Sequence, residues 1–302
     1  MRLLKLARGT GPLLRAVCVI ALAAWASGLA CADANTAAAA YFRNLERLNY
    51  DTAARATTTA RGDTLVQGVY RLEDTATGRL IALITERGDL KGDSSGWSRV
   101  GPDGPVGLTE IEAAQLRAEV MRSVAWDRLI PVRYGDGGGR HLILISAVNC
   151  PYCQRMEANL AKWAASLNTT FYVLPSSLTP LDVDGADQRT WRQATALWCA
   201  ADAGASWKRF WATHQVPSTP RCALEPAAAQ RLFRNFGTVM ASIGAKVRGT
   251  PALIREDGVN FGVPPDFDRD YAVSTYGPAG LPPKAAPHDP NAAFVWLTAA
   301  PK

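Results

Sequence analysis

Histidine is scarce in this 302-residue chain: only His141, His214 and His288 occur, and no two of them stand at a spacing that suits a metal or cysteine–histidine site. Methionine is rarer than tryptophan, and no internal repeat is visible. No dense lysine and arginine patch interleaved with aromatics follows residue 32, which sets nucleic-acid binding aside despite an isoelectric point near 9.1. What remains is ordinary for a globular protein: 48% hydrophobic and 20% charged residues exclude wholesale disorder and a polytopic membrane protein alike.

Acidic residues are absent before Asp33, whereas Arg2, Lys5, Arg8 and Arg15 precede an apolar run from Ala16 to Ala26. That layout predicts a secretory signal peptide over residues 1–32, cut at Ala30-Cys31-Ala32 or next best at Ala32-Asp33-Ala34. The run falls short of the roughly 20 apolar residues a membrane-spanning helix needs, so a retained anchor is disfavoured. Cys31 is a poor lipidation site because Leu29 sits one place too close to it. Losing 1–32 removes four positive charges and no negative one, taking the formal charge from +6 to +2. It also removes Cys18 and Cys31 and leaves four cysteines, Cys150, Cys153, Cys199 and Cys222, an even count that in an exported protein suggests disulfide chemistry.

Tyr41, Leu45 and Leu48 predict an opening helix between Thr36 and about Arg61. Short apolar runs over 64–86 predict a small antiparallel sheet, interrupted by the Gly-, Ser-, Asp- and Pro-rich stretch from Gly88 to Gly107. Thr109, Glu110 and Glu112 open a helix reaching about Leu129, with Leu116, Val120 and Val124 on one face. After the breaker Gly135–Gly139, the run His141–Ile145 predicts a buried strand, followed by a helix from Cys150 to about Ser166 and a strand over 170–174. That is a βαβ unit. Two or three helices over 188–245 precede a hairpin at Asp257-Gly258. The expected domains are 33–108 (α+β), 109–135 (linker helix and hinge), 136–276 (catalytic) and a flexible proline-rich tail, 277–302.

The chemistry centres on Cys150-Pro151-Tyr152-Cys153. A thiolate, not a thiol, attacks a disulfide, and a helix N-terminus stabilises that anion through unpaired N–H groups and the helix dipole. Cys150 is therefore the expected nucleophile. Cys153, one turn later on the same face, is the expected resolving thiol. Pro151 suits a first helical turn, where its missing donor costs nothing, and Tyr152 is free to shape the rim, so both would tune potential. A zinc site is the competing use of the four cysteines, but zinc sets usually pair two short spacings, and here Cys199 and Cys222 follow Cys153 by 46 and 69 residues. A staple is equally uneconomical, since a CxxC loop is too small to stabilise much. Gly249-Thr250-Pro251 stands just before the apolar Ala252-Leu253-Ile254; taken alone, Thr-Pro reads as an ordinary turn. Trp198, Trp207 and Trp211 read as core in preference to a substrate groove, and His141 as a strand residue.

The CPYC motif after a buried strand, the helical insertion and Thr-Pro before a hairpin make residues 141–263 resemble the thioredoxin-fold domain of the bacterial periplasmic DsbC/DsbG disulfide isomerases. The resemblance implies an α/β, thioredoxin-like fold with a helical insertion, preceded by a smaller α+β domain and a linker helix. It further implies that Thr250-Pro251 is the cis-proline loop contacting substrate, and that Cys199 and Cys222 form a structural disulfide within the insertion. A periplasmic location, no cofactor, disulfide-containing exported proteins as substrates and a membrane-bound reductase as redox partner follow from the same likeness, and it leaves room for a homodimer through 33–108. Pro264-Pro265 confines the family's final helix to 266–275. A net oxidase of the same fold, and a cysteine-independent chaperone or assembly component of a secretion or conjugation system, are the alternative functions.

Overall fold

The computed structural model describes residues 33–280, except 63, 94–95, 182–187, 219, 223, 246, 248, 262 and 265. The expected signal peptide with Cys18 and Cys31, His288, and the tail beyond 280 lie outside the described residues.

Helix α1 (Ala34–Arg47) is capped by Asp33, whose carboxylate accepts from the Thr36 N–H at 2.7 Å. It stops well before Arg61 because Asn49 takes a left-handed conformation, φ 61°. A short 3-10 turn (Ala53–Thr57) then feeds strand β1 (Thr58–Arg61), where β-branched threonines favour extension. Beyond it run β2 (Val69–Asp74), β3 (Leu80–Thr85), β4 (Leu90–Asp93), β5 (Gly96–Gly101) and β6 (Gly104–Gly107), an antiparallel six-stranded sheet in chain order. The glycine-rich stretch thus extends the sheet where an interruption was expected. Two glycines show why. Gly92 pairs with Trp97 across β4 and β5, and a Cβ there would come within 2.8 Å of the indole, so its absence lets the ring lie over the strand. Gly88, at φ 65°, turns the chain tightly against the backbone of Tyr41 in α1.

Helix α2 (Glu110–Ser123) opens on a complete capping box between Thr109 and Glu112. It ends at Ser123, short of Leu129, because another segment takes its last polar groups: the Gln67 N–H donates to the Ser123 carbonyl and the Ala125 N–H to the Leu65 carbonyl, both at 2.9 Å. The expected hinge before Gly135 is instead strand β7 (Ile130–Tyr134), alternately buried and exposed. Pro131 disguised it, and the strand tolerates a proline because it is an edge, paired among the described strands only with residues Thr169–Ser176.

The second sheet has five strands in the order β11 (Asn260–Phe261), β10 (Ala252–Arg255), β8 (His141–Ala147), β9 (Thr169–Ser176) and β7. Strand β8 (His141–Ala147) is buried throughout and runs parallel to β9 (Thr169–Ser176), with helix α3 (Pro151–Lys162) as the crossover. Helices α4 (Arg189–Trp198), α5 (Ala203–Thr213) and α6 (Pro226–Ser242) are inserted before the antiparallel hairpin of β10 (Ala252–Arg255) and β11 (Asn260–Phe261), and α7 (Arg269–Tyr276) closes the chain path. This βαβ, helical insertion, ββα order is a thioredoxin-like α/β fold. The start of the tail is tied down, since Asn168 donates to the Gly277 carbonyl and Ala279 to the Ser166 carbonyl.

One apolar cluster joins the two sheets: Leu83, Leu90 and Trp97 meet Leu116 and Val120 of α2, Phe236 and Met240 of α6, and Ile143, Ile145 and Ile254. A second fills the other face of the five-stranded sheet around Phe171, Trp191, Trp207 and Tyr276. No described helix is long and apolar enough to cross a membrane.

Candidate active site

Strand β8 delivers the chain to the motif through Ala147, and Val148 and Cys150 hold the turn by donating to the carbonyls of Ser176 (2.9 Å) and Ala147 (3.0 Å). Asn149 pins the same turn to the segment after β9: its amide donates to Thr179 Oγ1 at 3.0 Å and its carbonyl accepts from the Leu178 N–H at 2.8 Å. Cys150 is the N-cap of α3, and its sulfur accepts the Cys153 N–H at 3.3 Å, the role a serine or aspartate oxygen usually plays. Pro151 is the first helical residue. Tyr152 projects from the rim, 54% exposed, with the Arg155 guanidinium 4.8 Å over its ring.

Both motif cysteines are free thiols, buried with Ala147 and covered on one side by Trp211. Thr250-Pro251, 100 residues further on, reaches the same spot through a cis peptide bond, and the Cys150 thiol donates to the Thr250 carbonyl at 3.3 Å. The two sulfurs have different surroundings. Cys153 is wholly buried, and burial, seconded by its hydrogen bond with Cys150, pushes its thiol up to about 12. The hydroxyls of Thr250 and Ser146 and the Ala147 N–H pull weakly the other way. Among the described residues neither hydroxyl has another partner, so both stand ready to donate to negative charge on that sulfur.

Cys199 and Cys222 are disulfide-bonded, with Cα atoms 5.1 Å apart, and bridge the end of α4 to the segment before α6. They are thus engaged with each other and not with the motif pair. Trp207 is fully buried, Trp211 lies partly buried against the dithiol, and Trp198 donates to the Arg128 carbonyl at 2.6 Å. His141 is a buried strand residue beside Tyr172.

Ser146, Asn149 and Glu157 were not singled out from sequence, and Trp211, read there as core, packs partly buried against the dithiol. For Ser146 a signal existed, a lone hydroxyl ending an apolar strand, and for Glu157 another, an acid four residues after Cys153 on the inward face of α3. Glu157 is buried, accepts the Trp207 indole N–H at 2.8 Å, and is pushed up to about 7 by burial, which Trp207 and Lys208 only partly offset. Its ordinary value is 4.5, so the folded state holds the proton more tightly than the unfolded chain and stability falls as pH rises from about 4.5 to about 7. Glu157→Gln removes that loss. The variant should match the parent below pH 4.5 and exceed it by roughly 3 kcal/mol above pH 7, read from urea unfolding at both ends.

No family model matches the chain. Two curated relatives, each named "Probable thiol:disulfide interchange protein DsbC" and coming from Bordetella parapertussis and Bordetella bronchiseptica, are 28% identical over 163 residues. The match takes in 52% of this chain and 51% of each relative, so the chain spans about half the length of the curated relatives it matches. Among solved structures, the "Crystal structure of disulfide interchange protein from Neisseria gonorrhoeae" is 24% identical, with a TM-score of 0.33, covering 45% of this chain and 86% of that one.

Proposed function

We propose that this chain is an exported, periplasmic thiol-disulfide oxidoreductase that reshuffles or reduces wrong disulfides in exported proteins. The curated relatives carry the name of that chemistry over half the chain. Cys150 is the nucleophile: its thiolate attacks one sulfur of a substrate disulfide, a mixed disulfide forms and a substrate thiolate leaves. That thiolate can attack another disulfide of the same substrate, and the substrate thiolate so displaced attacks the mixed disulfide and frees Cys150 as thiolate, an isomerisation with no net electron transfer; alternatively, Cys153 attacks the Cys150 sulfur. The second route forms Cys150–Cys153, releases substrate as a dithiol and needs two electrons from a membrane-bound reductase to reset. Thr250 and Pro251 contact the substrate backbone, Pro151 and Tyr152 tune the potential, and Cys199–Cys222 braces the insertion.

One observation carries the isomerase direction, the contrast between Cys150 at the helix cap and the wholly buried Cys153 pushed up to about 12. A resolving thiol almost fully protonated at neutral pH attacks slowly, and the mixed disulfide survives long enough for substrate thiolates to exchange. The test is refolding of a scrambled multi-disulfide protein by the reduced wild type in a glutathione buffer, with the redox state of Cys150 and Cys153 trapped in cells. Faster recovery of native pairings and a mostly reduced pair are expected. Oxidation of substrate thiols without reshuffling, or an inert protein, would overturn the proposal.

A further inference from the structure

Cys150 is the sulfur that has to meet a substrate, yet it is only 3% exposed. Exchange proceeds through contact between an attacking thiolate and a disulfide sulfur, so whatever covers Cys150 decides which disulfides reach it. One cover comes from the helical insertion: Trp211, in the last turn of α5, packs against Ala147, Cys150 and Cys153. The insertion holds this ring in place from several sides. The Cys199–Cys222 bridge closes a loop around α5, and Asp202 caps that helix by accepting the Ala205 N–H at 2.9 Å. Trp207, fully buried one turn before Trp211, donates its indole N–H to Glu157 of α3 at 2.8 Å. Helix α5 is thereby tied to the same helix that Cys150 caps.

Trp211 is packed edge-on to Trp207, with ring centroids 5.7 Å apart and planes at 74°, and to Phe210 at 5.2 Å and 72°. Trp207 and Phe210 are buried members of the apolar cluster around Phe171 and Tyr276. Filling the core is their work. Trp211 differs from them, because part of its surface stays exposed and it stands over the two reactive sulfurs. Uncovering Cys150 on that side means giving up the two edge-on contacts, a loss that any incoming disulfide has to offset. A small disulfide brings little to do so. A polypeptide brings more, since its chain can lie along the exposed Tyr152 and the Thr250-Pro251 loop, and binding made away from the reacting atoms offsets a distortion at them.

We infer that Trp211 is a specificity-determining residue of the exchange: it screens Cys150 from small thiols and disulfides and yields to disulfides carried on a polypeptide. The selecting role rests on the function proposed above; the screening does not, because it concerns access to a thiol and needs no disulfide. The barrier is steric, so it limits the rate at which even a fully formed thiolate reacts. A residue acting through charge would instead shift the pH at which Cys150 becomes reactive.

The experiment follows alkylation of Cys150 by iodoacetamide in the reduced full chain across about pH 4–10, with mass spectrometry assigning the modified sulfur. Trp211→Ala should raise the plateau rate at high pH by about fivefold or more and leave the midpoint of the profile in place, whereas Trp211→Phe, which keeps a ring there, should stay within about twofold of the parent. Circular dichroism and the urea midpoint separate lost cover from a loosened fold, and Trp211→Leu, which keeps apolar bulk without a ring, gives the same reading if the alanine variant does not fold. Selection is read from two substrates. Oxidation by glutathione disulfide, in which Cys150 and Cys153 together displace two glutathione thiols, should speed up in Trp211→Ala by about fivefold or more, while exchange with a scrambled multi-disulfide protein should gain less than about twofold. Unchanged alkylation, a profile displaced along pH with the same plateau, or equal acceleration towards the two substrates would overturn the inference. Faster alkylation in a protein whose parent is inert towards scrambled disulfides would leave the screen standing and refute only the selecting role and the proposed enzyme function.

Discussion

Cys153→Ala should leave the protein covalently joined to its substrate, while Cys150→Ala should leave it unable to join at all. The two sulfurs sit one helical turn apart, yet only Cys150 occupies the cap, where its sulfur accepts the Cys153 N–H and its own S–H donates to the Thr250 carbonyl in the resting dithiol. Without it, the remaining sulfur is wholly buried, and burial, the largest cause of its raised pKa, still disfavours the thiolate. Exchange in Cys150→Ala should therefore fall by at least about a hundredfold, to the background of the glutathione buffer. In Cys153→Ala attack still proceeds, but intramolecular release is gone. Mixed disulfides should accumulate and appear on non-reducing gels as adducts that vanish with reductant. Isomerisation should fall less than net reduction, because a substrate thiolate can still free Cys150. Equal loss of both activities without adducts would show that the roles of the two cysteines are misassigned.

Phe236→Ala should destabilise the fold by about 3–5 kcal/mol. Phe236 has no exposed surface and sits on the face of α6 that also buries Leu232, Val239 and Met240. That helix lies against β4 and β5 of the six-stranded sheet and against β9 of the five-stranded one, so its apolar face is shared by both. Truncation removes the ring's transfer energy and leaves a void that neither sheet can close without disturbing the other. A urea midpoint lowered with an unchanged slope is the expected reading, and Phe236→Leu, which keeps most of the volume, should cost much less. A change of under about 1 kcal/mol for Phe236→Ala would mean that α6 does not bear on the shared core.

The dithiol was legible because its signal is local. Spacing puts Cys150 and Cys153 on one turn, proline marks the first helical residue, and an apolar run announces the strand before them. The six-stranded sheet was half legible: alternation over 64–86 was plain, but glycines at 88, 92, 96 and 104 look like loop until Trp97 and Tyr41 are seen packing where side chains are missing. Strand β7 was hidden by Pro131, whose tolerance depends on an edge position that the sequence does not reveal.

By itself, then, the sequence determined the closely spaced pair Cys150 and Cys153, its place at a helix start, the strand feeding it and the even set of cysteines after residue 32. All of these depend on neighbours a few residues away. Only the tertiary structure decided what surrounds the sulfurs: Thr250 arrives from 100 residues downstream, Trp211 covers the dithiol from the insertion, and Ser146 turns its hydroxyl towards Cys153. It likewise ended α2 with bonds from Leu65 and Gln67, and gathered five arginines from β1, β2, the turn before β3 and α6 into one cleft. Burial and charge are sums over everything packed nearby, and most of what is packed nearby comes from far along the chain.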